Sequence, residues 1–176
     1  QNGRFKMLPE TVKDHDKLIT LGADAPVYKD ILVPGVDVQP QFLDPNNGTW
    51  VLRVWFHPGV KLPTHYHTGT VHLWTLSGKW YYSEHKDQPQ TAGCYLYEPG
   101  GSVHSFETPE DNAELTDTIM MVQGANINFD ADGNYMGTMD ANSIIAMIEE
   151  AIRERGLEPS IYIKANFPNY SKNVNF

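Results

Sequence analysis

An all-β fold, a barrel or double-sheet jelly roll, is what this sequence predicts, on three observations. From Thr49 to Phe129 the chain runs through short stretches rich in Val, Ile, Trp, Tyr and Phe, alternating apolar and polar residues with the period of two that buries one strand face. Gly and Pro recur between them, and several short strands punctuated in this way build closed or double-sheet β structures. Nine Tyr, seven Phe and four Trp supply the large side chains that such sheets pack between them.

The elements follow in order. Residues 1–48 read as an irregular N-terminal arm with edge strands, because "PGVDVQPQFLDPNNG" places a turn former every few positions. The barrel is expected over 49–138. "TWVLRVWFHPG" opens it, and "TVHLWTLSG", "KWYYSEH", "AGCYLYEPGG", "SVHSFET" and "DTIMMVQGANINF" continue it at short spacing. "FDADGNYMG" reads as a hairpin turn. Asp130, Asp132 and Asn134 alternate as in a calcium loop, but Tyr135 stands where that loop needs glycine and Ala141 where it needs glutamate. Residues 139–176 are a helix and tail. In "DANSIIAMIEEAIRERG" Asp140 or Asn142 is the capping candidate, Ile144, Ile145, Ile148 and Ile152 form an apolar stripe, and Gly156 stops the helix, which is expected to cover the sheet. No repeat or linker divides the chain, so 1–176 is expected to be one domain.

Composition excludes several function classes. A net charge of −9 with scattered basic residues argues against nucleic acid, whose binding needs a clustered basic face. No apolar run approaches the ~18 residues of a membrane span, and no apolar leader segment is visible, so neither membrane nor secretion is expected. Cys94 is the single cysteine, which rules out an intrachain disulfide and fits a reducing, cytoplasmic compartment. In a strand it reads as a small buried hydrophobe.

The chemistry concentrates in "PTHYHTGTVHLWTLSG", residues 63–78, where three of seven histidines fall within eight positions. Side chains at i and i+2 of a strand share a face, so His65 and His67 point the same way and suit a cation. The alternative is that one ring caps a backbone group while the other meets solvent. Gly59, Pro63 and Gly78 frame the pair, and a second run holds Gly93, Pro99, Gly101 and His104. His15, His57 and His85 lie outside both runs and carry no assigned role.

These two runs resemble the two cupin motifs. Gly59, His65, His67 and Gly78 match the first (glycine, five residues, His-x-His, three or four residues, Glu, about six residues, glycine), and Gly93, Pro99, Gly101 and His104 match the second. The resemblance implies a cupin double-stranded β-helix, with His65, His67 and His104 as metal ligands. His72 stands where the first motif has its glutamate, and is either a fourth ligand or a hydrogen-bonding neighbour. Thr108 replaces the Asn that ends the second motif.

Within cupins, "HYHTGTVHLWTLSGKWYYSEH" with "AGCYLYEPGGSVHSF" is similar to the 2,4'-dihydroxyacetophenone dioxygenases and acetylacetone dioxygenase. That likeness implies a three-histidine Fe(II) site using O2 to cleave a carbon-carbon bond of an α-hydroxyketone or β-diketone, for example 2,4'-dihydroxyacetophenone to 4-hydroxybenzoate and formate. Zn, Ni or Mn are the alternative metals, since the divalent affinity order leaves the choice to availability.

Three neutral imidazoles leave a cation its full charge and favour an anionic, bidentate oxygen ligand. A carboxylate added to the ligands would undercut that chemistry. A base must take the substrate proton, and Glu98, before the Pro-x-Gly turn, is the candidate, its pKa raised by aromatic walls. Alternatively it is exposed or paired with a lysine. Tyr82 and Tyr97 are candidate donors to substrate oxygens and Trp80 a candidate pocket wall, each with core packing as its alternative. The partners implied are a small ketone and O2, with a homodimer or homotetramer expected by analogy. A zinc lyase or hydrolase, or a non-catalytic ligand-binding cupin, are the rival readings.

Overall fold

The computed structural model describes residues 18–165 and 169–171. Residues 1–17 of the expected arm, with His15, and the rest of the tail lie outside the described residues. The chain enters through β1 (Val36–Asp44), β2 (Thr49–Phe56), β3 (Thr64–His67), β4 (Val71–Ser77) and β5 (Lys79–Tyr82). It continues through β6 (Gln90–Thr91), β7 (Tyr95–Glu98), β8 (Val103–His104), β9 (Phe106–Glu107), β10 (Thr116–Gln123), β11 (Asn126–Phe129) and β12 (Tyr135–Met139). Helix α1 (Ala141–Arg155) and the short β13 (Ile163–Lys164) and β14 (Asn169–Tyr170) follow.

Two sheets carry the architecture. A seven-stranded sheet runs β14-β13-β1-β2-β10-β4-β7, a four-stranded sheet runs β12-β11-β3-β8, and a three-stranded sheet β6-β5-β9 accompanies them. Alternation decides which side chains enter the interior. On β2 Trp50, Leu52, Val54 and Phe56 are buried while the residues between them are half-buried, and on β4 the buried set is Val71, Leu73 and Thr75. His72, Trp74 and Leu76 therefore face outward, beside half-exposed Tyr95 and Tyr97 of β7.

The arm departs from expectation. "VDVQPQFLD" is a nine-residue strand, buried over most of its length and paired on both sides, with β2 and β13, rather than an edge strand. Its proline is accommodated because the register against β2 shifts between Pro40 and Phe42, and at such a bulge a missing N–H breaks no regular ladder.

The predicted helix and hairpin are present. Asp140 accepts from the Ser143 amide at 2.9 Å and Ser143 Oγ accepts from the Asp140 amide at 2.7 Å, a reciprocal cap. Gly156 ends the helix at φ 65°. Ile144 and Ile148 are buried, whereas Ile145 and Ile152 pack at the margin of the core, and the helix rests on β12 and β1. In the hairpin between β11 and β12, Asp130 Oδ1 accepts from the amides of Asp132 and Asn134, so the acidic residues organise the turn itself. The "SEH" of "KWYYSEH" forms a 3-10 turn instead of continuing β5. Gly78, joining β4 to β5 at φ 75°, admits no side chain: a Cβ there would meet the Thr116 backbone at 2.6 Å.

Candidate metal centre

Strand β3 turns His65 and His67 inward and Tyr66 outward, where Tyr66 stacks on Phe129 at 5.9 Å. On one side of β3, His104 of β8 stands directly opposite His65, and on the other, Asn126 of β11 stands opposite His67. The three imidazoles meet edge to face or tilted, with centroids 4.7 to 5.8 Å apart. One nitrogen from each lies within 4.8 Å of the others. All three residues are more than nine-tenths buried.

For His65 and His67 the local chemistry favours the neutral ring. His65 Nδ1 lies 2.9 Å from the Pro63 carbonyl, which only accepts, so Nδ1 carries the hydrogen and Nε2 keeps its lone pair. Burial pushes the His65 pKa below its ordinary value and pushes His67 down to about 4. Glu98 reaches in from β7, on the other sheet. Its Oε2 lies 3.2 Å from His67 Nε2 and 3.3 Å from His104 Nε2, yet neither approach makes a hydrogen bond.

Five buried side-chain atoms among the described residues have no hydrogen-bond partner: His67 Nδ1, Tyr82 Oη, Glu98 Oε2, His104 Nε2 and Asn126 Oδ1. All five belong to this one cluster, whereas buried polar atoms elsewhere in folded proteins are nearly always paired. Polar groups buried together without partners are costly, and a cation among them would satisfy the nitrogen and oxygen lone pairs. The donor set thus fits a divalent metal held by His65, His67 and His104.

The remaining sequence candidates separate by strand face. Glu98 is buried, neither exposed nor paired with a lysine. Tyr82 packs its ring 4.4 Å from that of His104 and borders the cavity. Three expectations are corrected. His72 faces away from the cluster and bonds Tyr95 Oη through Nδ1, because Val71 and not His72 takes the inward position of β4. Tyr97 shares that outer face, half exposed, with its ring 5.5 Å from His72. Trp80 is wholly buried, donates to Thr75 Oγ1 at 2.9 Å and supports Tyr82 edge-on from 5.0 Å rather than lining the cavity.

Val71 stands directly across from Glu98, so a carboxylate reaches the cluster from the adjacent strand β7. Asn126 was not foreseen. Its signal was the alternation in "NINF", which turns Asn126 and Asn128 to the interior opposite His67 and His65. Beside the cluster opens a cavity of about 360 Å³, bordered by Leu52, Val54, Leu73, Met120, Met139 and Met147 as well as by the site residues.

The sequence matches the model of the ChrR cupin-like domain over residues 19–126. A Ralstonia eutropha protein of unknown function with a cupin-like fold is 49% identical, over 89% of this chain and 98% of that one, at a TM-score of 0.78. An RmlC-like cupin from the same organism is 24% identical over 82% of this chain and 92% of that one, TM-score 0.73. An acetylacetone dioxygenase from Acinetobacter johnsonii is 15% identical over 79% and 92%, TM-score 0.60, a likeness of fold. Among curated proteins none matches. With the inward His-x-His, the cross-strand third histidine and a family match over most of its length, the chain belongs to the ChrR cupin-like domain family.

Proposed function

We propose that this protein is a non-haem iron dioxygenase that cleaves a carbon-carbon bond of a β-diketone or α-hydroxyketone. The observation that carries the reading is the convergence of all five unpartnered buried polar atoms on one three-histidine cluster beside an apolar cavity. Such a site has capacity for a cation and for the oxygens of a ligand, inside walls that exclude water. Held by His65, His67 and His104, Fe(II) would supply the redox chemistry by which a chelated ketone anion reacts with O2.

The protein's own residues prepare that anion. Glu98 Oε2, within 3.3 Å of the ligand nitrogens, accepts the proton lost from the carbon between the two carbonyls of a β-diketone or from the hydroxyl-bearing carbon of an α-hydroxyketone. Tyr82 Oη, buried and without a partner, donates to a substrate oxygen. Apolar walls keep water from the reactive carbon. That an acetylacetone dioxygenase is built on the same fold is consistent with this assignment.

One observation favours a second reading. The approaches of Glu98 to two ligand nitrogens, 3.2 and 3.3 Å, suit a fourth protein ligand, which would offset the cation's charge and favour a zinc lyase or hydrolase. Metal analysis of protein purified without added metal, followed by oxygen-electrode assays with diketones and hydroxyketones, decides between them. Iron with ketone-dependent O2 uptake supports the dioxygenase; ketone turnover under nitrogen by a zinc-loaded protein overturns it.

A further inference from the structure

For three imidazoles to hold one cation, each must present a lone pair to it, which obliges its other ring nitrogen to carry a hydrogen. In His65 that hydrogen goes to the Pro63 carbonyl. In His67 the nitrogen turned toward the centre is Nε2, 3.2 Å from Glu98 Oε2, just as His104 Nε2 lies 3.3 Å from the same oxygen. The hydrogen then belongs on His67 Nδ1, which is buried without a partner.

One acceptor is placed to receive it. Asn126 Oδ1 is likewise buried and unpartnered, and Asn126 stands directly across from His67. The Thr68 amide donates to the Ala125 carbonyl at 2.9 Å, which makes Thr68 and Ala125 a hydrogen-bonded pair of the antiparallel ladder. The next pair, His67 with Asn126, is of the other kind, in which opposed side chains stand closest, their Cβ atoms about 4.5–5.5 Å apart. The amide already acts on the ring, raising the His67 pKa against the effect of burial.

The two side chains differ in freedom. The His67 ring is packed among His65, His104 and Glu98, whereas the terminal torsion of an asparagine has a broad minimum, so a turn of the amide alone closes the bond. The backbone beneath it is pinned. The Ala125 amide donates to Thr68 Oγ1 at 2.9 Å, and Trp50 Nε1 donates to the Gly124 carbonyl at 2.8 Å.

Resting on the three-histidine centre and on no particular reaction of it, we propose that Asn126 is a positioning residue. Its side-chain carbonyl takes the Nδ1 hydrogen of His67 and holds that ring in the tautomer and orientation whose Nε2 faces the cation. His65 is steered by the backbone two residues before it, His67 by a side chain of the neighbouring strand.

The test uses the full chain with isotope-labelled histidine rings and Zn2+ as the probe cation. Zinc-loaded wild type should show exchange-protected Nδ1–H protons for both His65 and His67 in proton-nitrogen correlation spectra. Asn126→Leu should lose the His67 signal, keep that of His65, and bind zinc about 10- to 100-fold more weakly in chelator competition. Asn126→Asp keeps the acceptor and should restore the signal, with affinity at or above that of the wild type. A His67 Nδ1–H that exchanges freely in the zinc-loaded wild type overturns the proposal, even if Asn126→Leu does not fold. So does wild-type affinity in Asn126→Leu, or a loss of affinity that Asn126→Asp does not repair. A wild type that takes up no zinc sinks the three-histidine centre along with it, a failure seen before any variant is compared.

Discussion

Replacing Glu98 with Gln should move rate and stability in opposite directions. The variant keeps the shape of the side chain but cannot accept the substrate proton, so turnover should fall by about 10² to 10⁴. In the metal-free protein the consequence reverses. Oε2 is buried with no hydrogen-bond partner, 3.2 and 3.3 Å from two ring nitrogens, and exchanging an unpaired buried carboxylate for a neutral amide relieves about 1–3 kcal/mol of desolvation. The gain of roughly 1–3 kcal/mol corresponds to a melting temperature about 2–12 °C higher for a chain of this size. The assay is three measurements on one preparation: iron per chain by mass spectrometry, initial O2 uptake, and thermal unfolding after chelation. A variant that keeps its iron, loses its rate and melts higher without metal supports the base role. One that retains a third of wild-type uptake refutes it, and one that fails to hold iron identifies Glu98 as a ligand.

Other substitutions address neighbouring parts of the site. His104→Ala removes the histidine paired across from His65 and should abolish iron binding and O2 uptake together, checked by metal content of the folded variant. Tyr82→Phe should raise KM about five- to tenfold, the loss of one hydrogen bond. Its stability should not fall, because the hydroxyl has no protein partner. Thr108→Val should cost about 1–3 kcal/mol in denaturant titration, because Thr108 Oγ1 accepts from the Val60 amide at 2.9 Å and donates to the His57 carbonyl at 2.7 Å. Metal-free protein should also weaken in mild acid. Burial holds His67 down to about 4, against ~6.5 in the unfolded chain, so the unfolded state takes up the proton first. Stability from this residue is complete above pH ~6.5 and is lost progressively as pH falls toward 4, by up to ~1.4 kcal/mol per unit, which urea midpoints across that range would show.

Much of the centre was legible because strand geometry turns spacing into direction. His65 and His67, two residues apart, necessarily share a face, and Gly101 with His104 placed the third imidazole within reach. The helix from Ala141 to Arg155 announced itself by cap, stripe and terminal glycine. His72 shows where spacing stops being sufficient. The first motif tolerates three or four residues before its glutamate, and in a strand that difference of one is the difference between inside and outside. The turn at Thr68–Thr70, with Gly69 against the Gln123 carbonyl, where a Cβ would lie at 2.3 Å, fixes the phase that puts Val71 inward. Glu98 and Asn126 depend on pairings across 27 and 59 residues of chain, which no local pattern encodes. β1 was obscured by its own turn formers, since Pro40 reads as a breaker until the bulge that accommodates it is seen.

The groups around the centre are divided between two layers. His65, His67 and His104 stand on the four-stranded sheet and Glu98 on the seven-stranded one, so whatever fills the gap fastens one plate to the other like a rivet. In metal-free protein these buried groups lack hydrogen-bond partners across the seam, and the barrel should breathe there more often than along β12. Amide exchange in β7 and β8 should then slow on loading by more than that of β12.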